Sequence, residues 1–275
     1  MNRIILDKKQ CIKCGLCSII CPVSIIDKDA DSFPYMNEAK EFLCVRCGHC
    51  EAHCPKSAIA FDYGFDGKSQ AATHSAIISE KNLSNYLKNR RSVRHFTNIS
   101  VEKEKIERAF DIVRYAPSGK NFQPVKWIVI HDTNELKRIM NVLIDWIDRV
   151  SATESPVTKM IPSAVVKQWQ QGNDIVMRHA PHLLVAYVPE NTPMGEAAIF
   201  DAVIALSHFD IVIPALGFAG FWAGFFTIAL RHSEEVRSAV GLPADHIPCY
   251  AYGFGYPKYS ICRIPRRKDA DIVWK

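Results

Sequence analysis

The run Cys11-Ile12-Lys13-Cys14-Gly15-Leu16-Cys17-Ser18-Ile19-Ile20-Cys21-Pro22 returns 33 residues later as Cys44-Val45-Arg46-Cys47-Gly48-His49-Cys50-Glu51-Ala52-His53-Cys54-Pro55. The same offset sets Ser24 on Ser57, and exchanges Ile12 for Val45 and Lys13 for Arg46. This is an internal repeat built around thiolates. Three cysteines in one tight loop, with a fourth before a proline, can place soft sulfurs around an iron–sulfur cube. Paired CxxC sites also bind zinc, but zinc leaves the third cysteine and the CxxxCP tail without a use. A disulfide framework fits less well. The opening Met1-Asn2-Arg3-Ile4-Ile5-Leu6-Asp7 carries no secretory signal, and a chain kept inside the cell holds its thiols reduced, so a cytoplasmic location is expected.

The spacing resembles that of the bacterial two-cluster ferredoxins. In that arrangement the fourth cysteine of each run crosses to the other cluster. The resemblance therefore implies one [4Fe-4S] cluster on Cys11, Cys14, Cys17 and Cys54 and a second on Cys44, Cys47, Cys50 and Cys21. Gly15 and Gly48 would let backbone N–H groups approach the cluster sulfurs.

Outward from the repeat, residues 2–6 and 58–62 are short apolar segments that read as a small sheet closing over the clusters. Asp27 to Asp31 reads as a turn. The first domain is expected to span residues 1–63, followed by a small, polar linker at 64–79 and a second domain at 80–275. A chain of 275 residues with 48% hydrophobic and 23% charged content suits two folded domains. Residues 1–62 hold 8 Lys/Arg against 8 Asp/Glu, so the net +5 lies downstream. It is concentrated at residues 90–94 and 263–268. Without interleaved aromatics these clusters suggest a phosphate site rather than a nucleic-acid surface. Cys249 and Cys262, outside the repeat, are expected to be buried structural thiols.

Beyond residue 80, helical periods alternate with apolar strands, as in a layered α/β domain. Ser100 has the character of an N-cap for a helix carrying Ile106, Ala109, Phe110 and Val113. Residues 125–131 and 183–188 read as buried strands and 134–150 as a helix. Residues 151–172 lack a clear period and read as a mobile excursion of the kind that forms lids. The uncharged stretch 211–230 has the length of a membrane span. Pro214, Gly217, Gly220 and Gly224 interrupt it, so we read 197–215 as a buried helix, followed by a Gly-rich loop and a strand. No membrane span is expected.

Four stretches carry the chemistry of the second domain: Arg90-Arg91-Ser92-Val93-Arg94, read as the end of a helix; Pro117-Ser118-Gly119-Lys120-Asn121-Phe122-Gln123-Pro124; residues 217–224; and residues 253–257 with 263–268. The second is not a Walker loop, because Arg114 and Asn121 stand where glycine and Ser/Thr are required. No GxGxxG follows a strand. Together and in this order the stretches resemble the nitroreductase family of FMN-dependent enzymes, over about residues 83–275, and most resemble members with an N-terminal ferredoxin domain. The resemblance implies an α+β fold, a homodimer sealed along the 197–215 helix, and FMN as cofactor. It implies that Arg90, Arg91, Ser92, Arg94, Arg266 and Arg267 grip the flavin phosphate and ribityl chain. Charge-assisted guanidinium donors suit that task. It implies that Pro117, Ser118, Gly119, Asn121 and Gln123 lie along the isoalloxazine, often from the other subunit, and that Trp222, Ala223 and Gly224 lie against the flavin. Many relatives have a glutamate where this chain has Gly224, which puts nicotinamide use in doubt.

The expected activity passes electrons from an external low-potential donor, through two clusters and FMN, to a nitro, quinone or activated-alkene acceptor. The alternatives are an NAD(P)H-driven reductase with the clusters as outlet, and a non-enzymatic relay or sensor. No Ser-His-Asp or paired-carboxylate set stands out, and catalytic residues are left unassigned. His95, His179, His182 and His208 have no ligand spacing and are expected to be structural.

Overall fold

The computed structural model describes residues 4–65, 69–73, 77–153, 156–162 and 164–275. Asn2 and Arg3 of the first expected strand, and parts of the expected linker and excursion, lie outside them. The chain divides into two compact units, Met1–Ile77 with Lys120–Phe122, and Ile78–Gly119 with Gln123–Lys275.

In the N-terminal unit, β1 (Ile4–Leu6) pairs antiparallel with β4 (Ile59–Phe61), so the two apolar segments flanking the repeat do form a sheet. The expected turn at Asp27 is instead half strand. β2 (Ile26–Lys28) and β3 (Pro34–Met36) make a hairpin, and the turn follows at Asp29, whose carboxylate accepts from the N–H groups of Asp31 and Phe33. Two short helices, α1 (Leu16–Ile20) and α2 (His49–Ala52), start at equivalent positions of the two repeats. The core joins Ile25, Ile26, Ile59 and Phe61 to the buried Cys17 and Cys50.

The second unit has three layers. Its sheet, ordered β5 (Lys126–Ile130), β6 (His182–Pro189), β8 (His246–Gly255), β7 (Ala219–Trp222), is antiparallel throughout. Alternation sends Ile128, Ile130, Leu183 and Val185 into one core with α5 (Thr133–Ser151), α8 (Gly224–His232) and α9 (Glu234–Val240). Trp127, Val129, Leu184, Ala186 and Val188 enter the other, with α4 (Lys103–Val113) and α7 (Ala197–Val212). α7 with the turn after it, Ala197–Leu216, has the length and apolarity of a span, yet α7 packs Ala202, Leu206 and Phe209 into this core and carries the buried Asp201 and Asp210.

Several expectations are corrected. α3 (Glu80–Asn89) ends before the arginines, leaving Arg90 as its C-cap and residues 91–94 outside any helix. The loop after the buried helix is only Gly217 and Phe218, and the expected strand follows it as β7. Gly220 lets β7 lie against β8, where a Cβ would strike the Gly253 carbonyl and the Tyr252 ring, and the apolar run beyond it is helix α8. β8 and α9 were not anticipated. Residues 151–172 are no free excursion, because α6 (Ala164–Gln170) and the turn before it bury Val157, Ile161 and Val165 in the core. Cys249 is buried, and burial pushes its thiol up to about 12; Cys262 is exposed.

Ser100 does not cap α4, which starts at Lys103 with Glu102 in the N-cap position and no side-chain capping bond. Its hydroxyl instead lies 3.2 Å from Nε2 of His182. His182 is fully buried, stacks on His131 with ring centroids 4.5 Å apart, accepts from Val101 N–H at 2.9 Å, and faces the His131 carbonyl at 2.8 Å through Nδ1. Burial, with His131 beside it, lowers its pKa to about 4. The unfolded chain takes this proton near pH 6.5, so stability should fall as pH drops from about 6.5 to 4, by at most about 3 kcal/mol. All five tryptophans lie in this unit, so urea midpoints read by their fluorescence at about pH 7 and 4.5 check the prediction. A flat profile would exclude it.

Candidate cluster and flavin sites

The repeat in sequence is a repeat in backbone. Lys13 and Arg46 (φ 60 and 51), Gly15 and Gly48 (φ 78 and 72), and Ser24 and Ser57 (φ 51 and 49) all take the left-handed conformation at matching positions. Four of these six are not glycine, and such strain persists only where the surroundings impose it.

Two cavities open between the loops. One, of about 360 Å³, is lined by Cys11, Cys14, Cys17 and Cys54; the other, of about 330 Å³, by Cys21, Cys44, Cys47 and Cys50. Each takes three sulfurs from one run and the fourth from the other, the crossed arrangement that the ferredoxin resemblance implies. A zinc site would draw its sulfurs to about 3.8 Å apart. Among the described residues no three His, Cys, Asp or Glu side chains converge on a single-ion site. Four thiols spaced around a cavity suit a cube better than an ion. Burial pushes up the Cys17 and Cys44 thiols and takes Cys50 up to about 11, so binding of a metal group by these sulfurs is coupled to proton release.

In the second unit three of the four stretches meet. Val93 N–H donates to the Gly220 carbonyl at 2.9 Å, running the arginine stretch beside β7. β7 pairs with β8 through Trp222 and Tyr252. Thr97 N–H bonds the Tyr256 carbonyl, and Lys258 N–H the His95 carbonyl, both at 2.9 Å. Beneath them lies Asp210, which the sequence reading did not single out. It accepts from Tyr252 Oη (2.7 Å) and Trp222 Nε1 (3.2 Å), and pairs with Arg90 Nη1 at 3.1 Å. Asp210 stood out only as a carboxylate in an otherwise apolar helix.

The pair alters what Arg90→Ala should do. Removal leaves a buried, uncompensated carboxylate. Because the arginine side chain is 32% exposed, the loss is set between the surface and buried extremes, at about 2 kcal/mol. Chemical denaturation of R90A beside D210N checks this, and unchanged stability in both would free Arg90 from a structural role.

An open cavity of about 1190 Å³ adjoins the arginine stretch, lined by Arg94, His95, Asn98, Asn173, Arg178, His179 and Lys258 among others. Among the described residues the one carboxylate in its lining, Asp174, accepts from the N–H groups of Val176, Met177 and His179 at 2.8 to 3.0 Å. Arg178 and His179 are both left-handed (φ 57 and 56). The lining is thus basic, with an amide beside it, and suits an anionic ligand with hydrogen-bonding edges. His95 and His179, expected to be merely structural, stand on its wall. Asn173, Arg178 and Lys258 were missed, since nothing in their spacing joins them.

The remaining stretch, Pro117 to Pro124, lies elsewhere. Ser118 Oγ accepts from Gln123 N–H (3.0 Å) and Asp201 Oδ1 from Gly119 N–H (2.9 Å). Asp201 is nine residues before Asp210 on α7, about 14 Å along the helix. Lys120, Asn121 and Gln123 have φ of 49, 54 and 51, so the stretch is a strained turn. Pro117 precedes it, and Lys120–Phe122 group with the N-terminal unit. Arg91 bonds its neighbour's carbonyl, Ser92 is half-buried, and Ala223 and Gly224 open α8. Arg266 and Arg267 lie exposed in the terminal segment and are not brought to the other stretches.

One chain thus carries a unit with two four-cysteine cavities and a layered unit with a basic cavity. Residues 87–256 match the model of the nitroreductase family, and residues 7–59 that of the 4Fe-4S dicluster domain. The chain belongs to the nitroreductase family. Similar solved structures include a nitroreductase with bound FMN from Bacteroides fragilis (16% identity, 71% of this chain and 98% of that one, TM-score 0.57). Another is the FMN and NADPH-dependent nitroreductase NfnB from Sphigopyxis sp. strain HMH (21% identity, 70% and 98%, TM-score 0.54). An iodotyrosine deiodinase bound to FMN and 3-iodo-L-tyrosine follows (17%, 69% and 97%, TM-score 0.51). At such identities the likeness is one of fold.

Proposed function

We propose that the protein is an iron–sulfur flavoprotein oxidoreductase that draws electrons from an external low-potential donor such as reduced ferredoxin and delivers them to a nitro group, quinone or activated double bond. Its cofactors are FMN and two [4Fe-4S] clusters. FMN, when bound, accepts electrons singly and gives them up in pairs, which matches one-electron clusters to a two-electron acceptor. The observation that carries the reading is the pair of crossed four-cysteine cavities in a chain of the nitroreductase family. Tethering the cluster unit raises its effective concentration far above that of a free partner.

On the flavin side, Arg94, Arg178 and Lys258 offer charge to a phosphate, and Asn173 offers both a donor and an acceptor. Arg90, Arg91, Ser92, Arg266 and Arg267 are kept as phosphate and ribityl candidates, and Trp222, Ala223 and Gly224 as the flavin wall. Pro117, Ser118, Gly119, Asn121 and Gln123 are assigned to a partner subunit's flavin, because in one chain this turn stands apart from the other three stretches. A homodimer is supported by α7, whose Phe200 (68% exposed), Ile204 and Ile211 leave an apolar strip outside the core. Eight free thiols set for cluster binding are in keeping with a reducing cytoplasm.

The test is protein purified without oxygen. It should be brown, carry about eight irons per chain, release FMN on denaturation, and turn over nitroarenes or quinones with reduced ferredoxin. Zinc in place of iron, or no flavin, would overturn the proposal.

A further inference from the structure

The two cluster sites are built from one repeated sequence, so differences at matching positions are differences between otherwise equivalent sites. Four stand out. Val23 and Lys56 are separated by the repeat offset; Lys56 lines the cavity of Cys11, Cys14, Cys17 and Cys54, whereas Val23 lines that of Cys44, Cys47, Cys50 and Cys21. After the third cysteine of each run the first repeat has Ser18 and the second Glu51. The Ser18 hydroxyl is buried and lies against the Cys17 sulfur, a thiol of the first site. Lys13 lines the first cavity, while its counterpart Arg46 stays outside the lining of the second though its charge reaches Cys44; that lining holds Val23, Ile25, Ile26, Met36, Val45 and Phe61, with His49.

The last difference lies above the glycines. A Cβ on Gly15 would sit 2.8 Å from the Lys28 ammonium, whereas one on Gly48 would meet the Tyr63 hydroxyl. That hydroxyl donates to Glu51 Oε2 at 3.0 Å, so its proton is committed away from the cluster. The carboxylates flanking Lys28 are held by other cations, Asp27 by Lys40 at 3.6 Å and Asp29 by Lys8 at 4.0 Å. The first site thus has two ammonium groups and the Ser18 hydroxyl at it, whereas the second has a more apolar lining, one guanidinium near Cys44, and the Glu51 carboxylate next in the chain to Cys50.

Reduction adds one negative charge to a cluster. Nearby cations and hydrogen-bond donors favour it, and apolar burial and anions oppose it. Resting on the cluster reading above, we propose that Lys28 and Lys56 raise the reduction potential at the Cys11, Cys14, Cys17 and Cys54 site, while Glu51, held by Tyr63, lowers it at the Cys44, Cys47, Cys50 and Cys21 site. The sites are therefore unequal. One electron passed between them leaves the second site oxidised and the first reduced, and this direction is downhill.

The test is a reductive titration of the whole protein followed by electron paramagnetic resonance. Two one-electron steps should be resolved. In K28M/K56V only the higher step should move, downward, by at least threefold in its reduction equilibrium, about 28 mV at 59 mV per tenfold. In E51Q, and in Y63F, only the lower step should move, upward. Because Lys28 is exposed, its part should shrink with added salt. Iron content reports whether each variant keeps both clusters, and E51Q stands as an independent arm should the lysine variant lose one. Coincident steps in the parent protein, a shift of the lower step in K28M/K56V, or no shift in any variant would overturn the inference while leaving the two-cluster reading intact. Absence of two centres would overturn both.

Discussion

Replacing Cys54 with alanine should destroy the cluster of the first cysteine run, not that of its own. Cys54 lines the cavity of Cys11, Cys14 and Cys17, so C54A and C14A should lose the same spectral component. C21A and C47A should together lose the other. Each variant should fall from about eight irons per chain to about four. The effect is large because a four-iron cluster lacking one thiolate exposes an iron to solvent, while the remaining loop keeps its strained turn without the group that imposed it. FMN should stay bound in all four, since its candidate residues lie in the other compact unit except for the tip of the 117–124 turn. If C54A instead matched C47A, each run would hold its own cluster and the crossed geometry would be wrong. Loss of flavin with either cluster would mean that the units depend on each other.

What could be read from the chain follows from how local each signal is. The cysteine repeat is local. Its spacing, its prolines and its glycines are all within one stretch, and the structure reproduces them down to the backbone angles of Lys13 and Arg46. Strands β5 and β6 were legible as apolar runs. β8 was not, because Gly253 and Gly255 resemble a loop in sequence and become strand only where β6 and β7 close on either side. The ion pair between Arg90 and Asp210 spans 120 residues, and no periodicity connects its ends. The same holds for the basic cavity, which gathers Arg94, Arg178 and Lys258 from three distant segments. Ser100 was misread because capping chemistry looks the same in sequence as any hydroxyl ahead of a helix. The buried His182 drew it away, and that demand is tertiary.

The direction of electron flow should separate the proposed reductase from its rivals, and the expected outcome is that reduced ferredoxin is the faster donor by about a hundredfold or more over NADH, the advantage of a tethered acceptor domain. Three features point this way: no dinucleotide fingerprint follows a strand, a cluster unit is fused in place, and Gly224 stands where many relatives have glutamate. Packing does not force that glycine. A Cβ there would meet the Tyr250 hydroxyl only at 3.7 Å, an ordinary van der Waals contact. Rapid mixing of the anaerobic protein with each donor, reading cluster and flavin absorbance separately, should show the clusters bleaching first and the flavin after with ferredoxin, and slow change in both with NADH. The double variant C14A/C47A should keep FMN, accept electrons from dithionite, and lose ferredoxin-driven turnover. Fast flavin reduction by NADH in that variant would reverse the assignment, because electrons would then arrive at the flavin first and the clusters would have to carry them out.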